Sequence, residues 1–544
     1  VTKGMWTDEK LAEHGLKPAP ARTPIPVGPQ DVVTFIDESL AARPDKMALI
    51  GRHRRLTFAE LEQEINAAAA YLQSLGLTMG DRITASASNH PEIVIAFLAA
   101  QRLGLIWFGI NRNYSTPEKL YLIEDGGPRV VLAETRIAED LRSAGIGGDG
   151  RRLIVMEPVG DCEWTAGVAA HRGASRADIA IDPWAPAGIA YTSGTTGRPK
   201  GAVHSQHNMM VAATMAALVV GDKRLEAIRG QASPMTILNM LIGGPLSALS
   251  AGNTLVCMDR IDVTGLAEWI GAEKINTLSL VPTLIQDLLT SPDIDPAQVE
   301  SLTWVVVGAA MVPEGMPALY EARFGHKPTI GYGLTENPTV VSRTVDSTPA
   351  TEGAVGRAMR HLDVATVDND DQRLPAGEVG EIVIRPISTG EWADVYTPTL
   401  GYWNNPKATE ELLRNGWMHT GDMGRVDPDG EMFIHSRRSE LIVRGGSNIY
   451  PAEIERIIRL DERVVDCAVV GMPERRLGEV PAAFVQVNPG TESDALLEDL
   501  RAQCEMELAR YKVPVFWKAL DELPRNVMGK IVKQELHAFF EPVA

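Results

Sequence analysis

Hydrophobic positions fall into two recurring textures along most of this chain. Short apolar runs predict buried strands at Met47–Ile50, Asp81–Ala87, Leu105–Ile110, Val130–Leu132 and Leu153–Met156. Between them, longer stretches predict helices at Asp31–Ala42, Phe58–Leu75 and Pro91–Leu103. The alternation resumes with a helix at Asn208–Val220, a strand at Thr254–Met258, a helix at Asp262–Ile275 and a strand at Thr277–Leu280. A helix at Pro282–Leu289, a strand at Trp304–Val307 and a helix at Pro313–Phe324 follow, with Pro313 suited to the first helical turn. Strands alternating with helices of this length predict an α/β fold with parallel sheets covered on both faces. Residues 1–30 carry five prolines and no period, and predict an irregular arm. From about residue 350, strands shorten and turns crowd, as at Pro375-Ala376-Gly377 and Pro428-Asp429-Gly430, so a small β-rich subdomain is expected over 350–435. A boundary falls near Ser436–Ser439. Beyond it, Pro451–Leu460, Val464–Val470, Ala482–Val487 and Ser493–Arg510 alternate helix and strand in a unit of small-domain size. The most apolar long stretch, Ile93–Ile110, is interrupted by Gln101, Arg102 and Gly104, and reads as a helix followed by a buried strand, not a membrane span.

Composition narrows the picture. A chain of 544 residues exceeds one core, so two to four domains are expected, and 44% hydrophobic residues suffice to pack them. The net charge of −19 argues against nucleic acid or an anionic membrane as the main partner, while leaving room for a local basic pocket. Cys162, Cys257, Cys467 and Cys504 lack metal-site spacing and read as reduced thiols of a cytoplasmic protein. The N-terminus has no basic-then-apolar signal pattern. It begins at Val1 instead of methionine, which leaves the true start open.

One stretch spends its residues on chemistry. After the apolar run Ala187–Tyr191 come Thr192, Ser193, Gly194, Thr195, Thr196, Gly197, Arg198, Pro199, Lys200 and Gly201. Glycines let backbone approach a ligand, consecutive N–H groups cup an anion, and hydroxyls and cations add to the cup. The spacing does not match the G-x-x-x-x-G-K-[ST] loop, and Pro199 disfavours an immediate helix. An ordinary surface turn has a similar composition. Other stretches carry similar weight. Gly331-Tyr332-Gly333-Leu334-Thr335-Glu336 offers a flat ring and a carboxylate suited to a hard cation. His419-Thr420-Gly421-Asp422 offers an acid for a ribose diol. Arg437 and Arg438 lie at the boundary. Arg444-Gly445-Gly446-Ser447-Asn448 forms a second glycine loop, and Pro524–Lys530 is a turn presenting a lysine. Each alone also reads as a solvated loop acid, a turn cap or a surface cation.

Together and in this order they resemble the ATP-dependent, AMP-forming acid–thiol ligases: the acyl- and aryl-CoA synthetases, related to peptide-synthetase adenylation domains and firefly luciferase. The resemblance runs from about residue 30 to 535 and rests on Tyr191–Gly201, Gly331–Glu336, Thr420-Gly421-Asp422, Gly445–Glu455 and Pro524–Lys530. It implies an adenylation domain over 1–435, a hinge at 436–439 and a mobile C-terminal domain over 440–544. It further implies that Thr192–Lys200 holds the ATP phosphates, and that Gly308, Ala309, Ala310, Gly331, Tyr332 and Gly333 contact adenine. By the same resemblance Thr335 meets the α-phosphate, Glu336 with Thr192 takes Mg²⁺, and Asp422 with Arg437 takes the ribose. Gly445, Gly446 and Asn448 then line the thiol tunnel for coenzyme A, and Lys530 bridges carboxylate and phosphate during adenylation. Rotation of the C-terminal domain would replace Lys530 by the 445–448 loop for the second step.

Two departures stand out. Ser439 occupies the hinge position, where the family often has Asp or Lys. Met235-Thr236-Ile237-Leu238-Asn239 replaces an aromatic-His pair, which bears on gating of the acid pocket. The expected pocket, with Asn239, Met240, Gly308, Gly333 and Asn337, contains no ionised side chain. An apolar acid of medium-chain, alicyclic or aryl-propanoid type is therefore favoured over an amino acid or dicarboxylate. Partners expected are this small carboxylic acid, ATP and CoA, with no nucleic acid and no integral membrane association; a homodimer is left open. The other readings are an enzyme that loads a carrier protein, a non-catalytic nucleotide-binding protein and, more remotely, an oxygenase.

Overall fold

In a computed structural model of the chain, the residues described are 6–192, 198–220, 226–308, 312, 315–344, 353–445, 447–526 and 529–540. They divide into two compact units, residues 1–364 with 384–419, and residues 365–383 with 420–544. Residues 436–439 lie inside the second unit.

The first unit is built on two large sheets. One has six strands in the order Arg152–Val155, Val130–Ala133, Arg82–Ser86, Ile106–Gly109, Pro186–Thr192 and Lys200–Ser205. All neighbours are parallel except the last pair, an antiparallel hairpin. The other has nine strands, with Asn337–Arg343, Thr329–Leu334, Trp304–Val307, Thr277–Leu280, Ile228–Gln231, Thr254–Cys257 and Met47–Ile50 in sequence between two short edge strands. Its interior pairs are parallel, and Thr329–Leu334 with Asn337–Arg343 forms a second hairpin. The expected α/β alternation is therefore present. The helix Phe58–Ser74 starts where Thr57 and Glu60 cap each other: the Thr57 hydroxyl accepts from the Glu60 N–H, and the Glu60 carboxylate accepts from the Thr57 N–H. The most apolar stretch is the buried helix Pro91–Arg102 followed by the strand Ile106–Gly109. Among the described residues no helix is long and apolar enough to cross a membrane.

Three expectations need correction. The helix expected over Asp31–Ala42 begins only at Asp37. The Asp31 carboxylate takes both the N–H and the hydroxyl of Thr34 in a local turn, and the Val32 N–H goes to the Gln206 side chain. The N-terminal arm contains a short helix, Asp8–Glu13, capped by Thr7. The helix expected from Pro313 runs from Met316 to Phe324 after Gly315 in a left-handed conformation, while Pro313 itself lies outside the described residues.

In the second unit, Val464–Glu474 and Gly478–Val487 form a long antiparallel pair, with Phe516–Leu520 added in parallel. The hairpin Ile442–Arg444/Ser447–Ile449 joins at Arg444. Helices Pro451–Ile458 and Ser493–Glu507 bury Ile454, Ile457, Leu496 and Leu500 against Val469 and Val485. Asp422 and Arg437 face each other across a further antiparallel pair.

Candidate active site

Both hairpins of the first unit end in a sequence-predicted motif. Thr192 and Lys200 are the last paired residues of the phosphate-loop hairpin, so the strand following Pro199 explains why no helix begins there. Ser193, Gly194, Thr195, Thr196 and Gly197 lie outside the described residues, as do Ala309, Ala310 and Gly446. The Thr192 hydroxyl donates to the Lys200 carbonyl at 3.4 Å. Behind the hairpin, the Tyr191 hydroxyl donates to Asp125 at 2.6 Å, and burial, with Asp125 beside it, raises the phenol's pKa. The second hairpin turns at Thr335 and Glu336, between Leu334 and Asn337.

A segment with no motif ties these tips together. The Tyr402 hydroxyl donates to Glu336 Oε1 at 2.6 Å, and the Lys200 ammonium stands 5.3 Å from the centre of the Tyr402 ring. The Thr399 N–H donates to the Glu336 carbonyl, and its hydroxyl to the Val203 carbonyl. Thr397 donates to the side-chain oxygen of the fully buried Asn337. From the first hairpin, His204 Nε2 meets the Thr335 carbonyl at 2.8 Å. Burial pulls the His204 pKa down to about 4, so the ring is neutral and this nitrogen carries its one N–H. Thr192, Lys200, Thr335 and Glu336 are thus held in one frame by His204, Thr399 and Tyr402. No motif marks these three, which sit in strands or loops without recognisable spacing.

The nucleotide and acid segments adjoin this frame. A Cβ on Gly308 would stand 2.9 Å from the Gly331 carbonyl oxygen, so the close approach of these strand ends requires glycine. Tyr332 is partly buried and Gly333 exposed. Asn239 and Met240 lie on a helix, Leu238–Leu241, that widens into a π-helical turn over Ile242–Leu246 before continuing as Ser247–Ser250. Asn239 Oδ1 is buried without a hydrogen-bond partner among the described residues. Asn89, also unforeseen, donates to the carbonyls of Gln231, Ala232 and Ser233 and accepts from the Met235 N–H, fixing the turn that replaces the aromatic-His pair.

The second unit brings together Asp422, Arg437 and Lys530. Asp422 is buried, and Arg437 Nε reaches its carboxylate at 2.9 Å. Lys530 closes a turn in which the Asn526 N–H donates to the Lys530 carbonyl and the Lys530 N–H to the Asn526 side chain. Loss of surrounding water and the Arg437 guanidinium pull the Lys530 pKa below its ordinary value, and Asp422 pulls it back up. Gly445 adopts φ +57° and donates its N–H to the Leu477 carbonyl. Asn448 lies in the strand Ser447–Ile449.

Glu336 and the Thr192 hydroxyl are hard oxygen donors, a set that fits Mg²⁺, which completes its shell with waters and phosphate oxygens. Among the described residues no cluster of three His, Cys, Asp or Glu side chains could hold a metal without such added ligands.

A family model described as AMP-binding enzyme matches residues 36–390, and one described as AMP-binding enzyme C-terminal domain matches residues 453–530. The chain is 30% identical over 513 residues to an indoleacetate–CoA ligase of Aromatoleum aromaticum, covering 92% of this chain and 96% of the relative. It is 31% identical over 533 residues to a 4-coumarate–CoA ligase of Oryza sativa subsp. japonica, covering 93% of each. The crystal structure of ATP-bound MatB from Rhodopseudomonas palustris matches with a TM-score of 0.83 at 27% identity, over 93% of this chain and 98% of that one.

Proposed function

The chain belongs to the AMP-binding enzyme family of AMP-forming acyl-CoA synthetases, and on that premise we propose a two-step ligase for an acid with an apolar body of medium-chain, alicyclic or aryl-propanoid type. The observation that carries this reading is the shared frame of the two hairpin tips, in which Tyr402 links Lys200 to Glu336.

A carboxylate does not acylate a thiol directly, because hydroxide is a poor leaving group. In the first step a carboxylate oxygen attacks the α-phosphorus of ATP, and the bond to the bridging oxygen breaks to release pyrophosphate. Thr192–Lys200 holds the departing phosphates and Thr335 meets the α-phosphate. Glu336 and Thr192 would hold Mg²⁺, which offsets phosphate charge when bound. Lys530 supplies the compact ammonium that reduces the repulsion of the two anions. Asp422 accepts from the ribose hydroxyls, and Arg437 orients its carboxylate. In the second step the CoA sulfur attacks the acyl carbon, loses its proton and expels AMP. Gly445, Gly446 and Asn448 line its path after a pivot near Ser439 carries Lys530 away.

Support for the apolar body comes from the near pocket, where Asn239, Met240, Gly308, Gly333 and Asn337 offer no ionised group. Pyrophosphate release and thioester formation across an acid panel, with and without CoA, test the reading. CoA-dependent thioester is expected. Adenylate without CoA transfer would favour loading of a carrier protein, and no pyrophosphate with any acid would leave a nucleotide-binding protein.

A further inference from the structure

Tyr402 can orient Glu336 only while its own backbone is fixed, and that backbone has two edges. One edge pairs with the strand Lys200–Ser205. The Leu400 N–H donates to the Val203 carbonyl, the Val203 N–H to the Gly401 carbonyl and the Trp403 N–H to the Gly201 carbonyl, at 2.9, 2.9 and 2.8 Å. The other edge would be left unpaired. The N-terminal arm closes it. The Lys17 N–H donates to the Leu400 carbonyl at 2.7 Å, and the Asn404 N–H to the His14 carbonyl at 2.8 Å. These two bonds fall on either side of Tyr402. All of these residues belong to the first compact unit.

Side chains of the arm grip the same place. The His14 ring stacks on Trp403 with centroids 4.2 Å apart and planes 12° from parallel, and Trp6 meets Trp403 edge-on at 6.3 Å. His14 Nδ1 stands 2.9 Å from Asn404 Oδ1. Leu11 and Leu16 are buried in one core cluster with Leu400 and Trp403. Gly15 follows the end of the helix Asp8–Glu13 in the left-handed conformation, φ +70°, and a Cβ there would stand 2.6 Å from the Pro406 nitrogen. A side chain at this position would therefore push the arm off the segment. Trp403 extends the grip to the first hairpin: its indole N–H donates to the Asp125 carbonyl at 3.2 Å, and the Asp125 carboxylate receives Tyr191, next to Thr192. The arm lies ahead of the AMP-binding family match, which begins at residue 36.

We infer that the N-terminal arm is a positioning element of the adenylation site. By closing the outer edge of residues 400–404 it holds the Tyr402 hydroxyl on Glu336, and so sets how tightly Glu336 takes Mg²⁺. The inference rests on the ligase reading above and adds to it His14, Gly15 and Trp403 as residues that act through Tyr402. A carboxylate already oriented loses little freedom when a cation binds, so release of the arm weakens the metal without altering the donor set.

The test follows pyrophosphate release against Mg²⁺ concentration, with the acid of the panel above that the wild type uses fastest. It compares the wild type, Gly15→Val, His14→Ala, Tyr402→Phe and the double variant Gly15→Val with Tyr402→Phe. Gly15→Val is expected to raise the half-saturating Mg²⁺ concentration about tenfold, as Tyr402→Phe should, with most of the rate regained at saturating Mg²⁺. His14→Ala should raise it about threefold, because it loses the stack but keeps the backbone bonds. Both changes act through one hydrogen bond, so the double variant should be no worse than Tyr402→Phe alone. An unshifted Mg²⁺ dependence, a loss that Mg²⁺ does not repair, or a loss that multiplies with Tyr402→Phe overturns the positioning role and leaves the ligase reading standing. Melting temperatures report folding; should Gly15→Val fail to fold, His14→Ala and its own double variant carry the same test. No pyrophosphate from any acid overturns the ligase reading, and calorimetric titration with ATP and Mg²⁺ then decides the arm: a weaker Kd in Gly15→Val supports it, and an unchanged Kd overturns it.

Discussion

Glu336 in the first unit and Asp422 in the second are both acids placed at a backbone turn or strand pair, yet their partners differ in kind. Glu336 receives the neutral Tyr402 hydroxyl at 2.6 Å, whereas Asp422 faces the Arg437 guanidinium at 2.9 Å. A neutral donor orients a carboxylate without pairing it with an opposite charge, so Glu336 stays suited to a cation. An ion pair spends most of that charge, so Asp422 is left with lone pairs suited to uncharged hydroxyls. The residue type is nearly the same, and the partner decides what it binds.

The largest expected effect removes the cation of the second unit. Lys530→Ala should lower adenylation about a thousandfold or more while sparing thioester formation from preformed acyl-adenylate. Normal pyrophosphate release by this variant would remove Lys530 from the first step. Next, Glu336→Gln keeps an acceptor for Tyr402 but loses the charge, and pyrophosphate release should fall about a hundredfold, partly restored by excess Mg²⁺. Tyr402→Phe removes only the neutral hydrogen bond and should cost less, about tenfold. A Tyr402→Phe loss as deep as that of Glu336→Gln would mean that orientation matters more than charge. Asp422→Asn should raise the KM for ATP about tenfold with little change in kcat, because ribose hydroxyls lose their acceptor; a kcat effect alone would break the contrast.

The smallest effect is in pH. Lys530 acts as a cation, so adenylation should fall as pH rises through its depressed pKa, earlier than for an ordinary lysine. Arg437→Met removes a depressing charge and should move this limb to higher pH, while Asp422→Asn should move it lower. An unmoved limb in both variants would assign it to another group.

Much of this was legible in the sequence because it resides in local spacing. The two hairpin tips, the Asp422 turn and the Lys530 turn each compress their special residues into a few positions, and the alternation of apolar runs yielded most of the sheets. What was hidden depends on separation along the chain. Tyr402 lies 66 residues from Glu336, and Asn89 more than 140 from the turn it fixes. The helix expected from Asp31 failed for a related reason, since side-chain bonds from Asp31 and Gln206 competed for its first backbone donors.

The widened turn at Ile242–Leu246 has an evolutionary consequence. Such a turn holds one residue more than a regular helical turn, so a single-codon deletion there would restore the ordinary pitch and swing everything beyond it by about 100°. Asn239 and Met240 would keep their places while Ser247 lost its hydrogen bond from Arg229 on the neighbouring strand, so one codon would repack this face of the nine-stranded sheet without changing a residue of either hairpin tip.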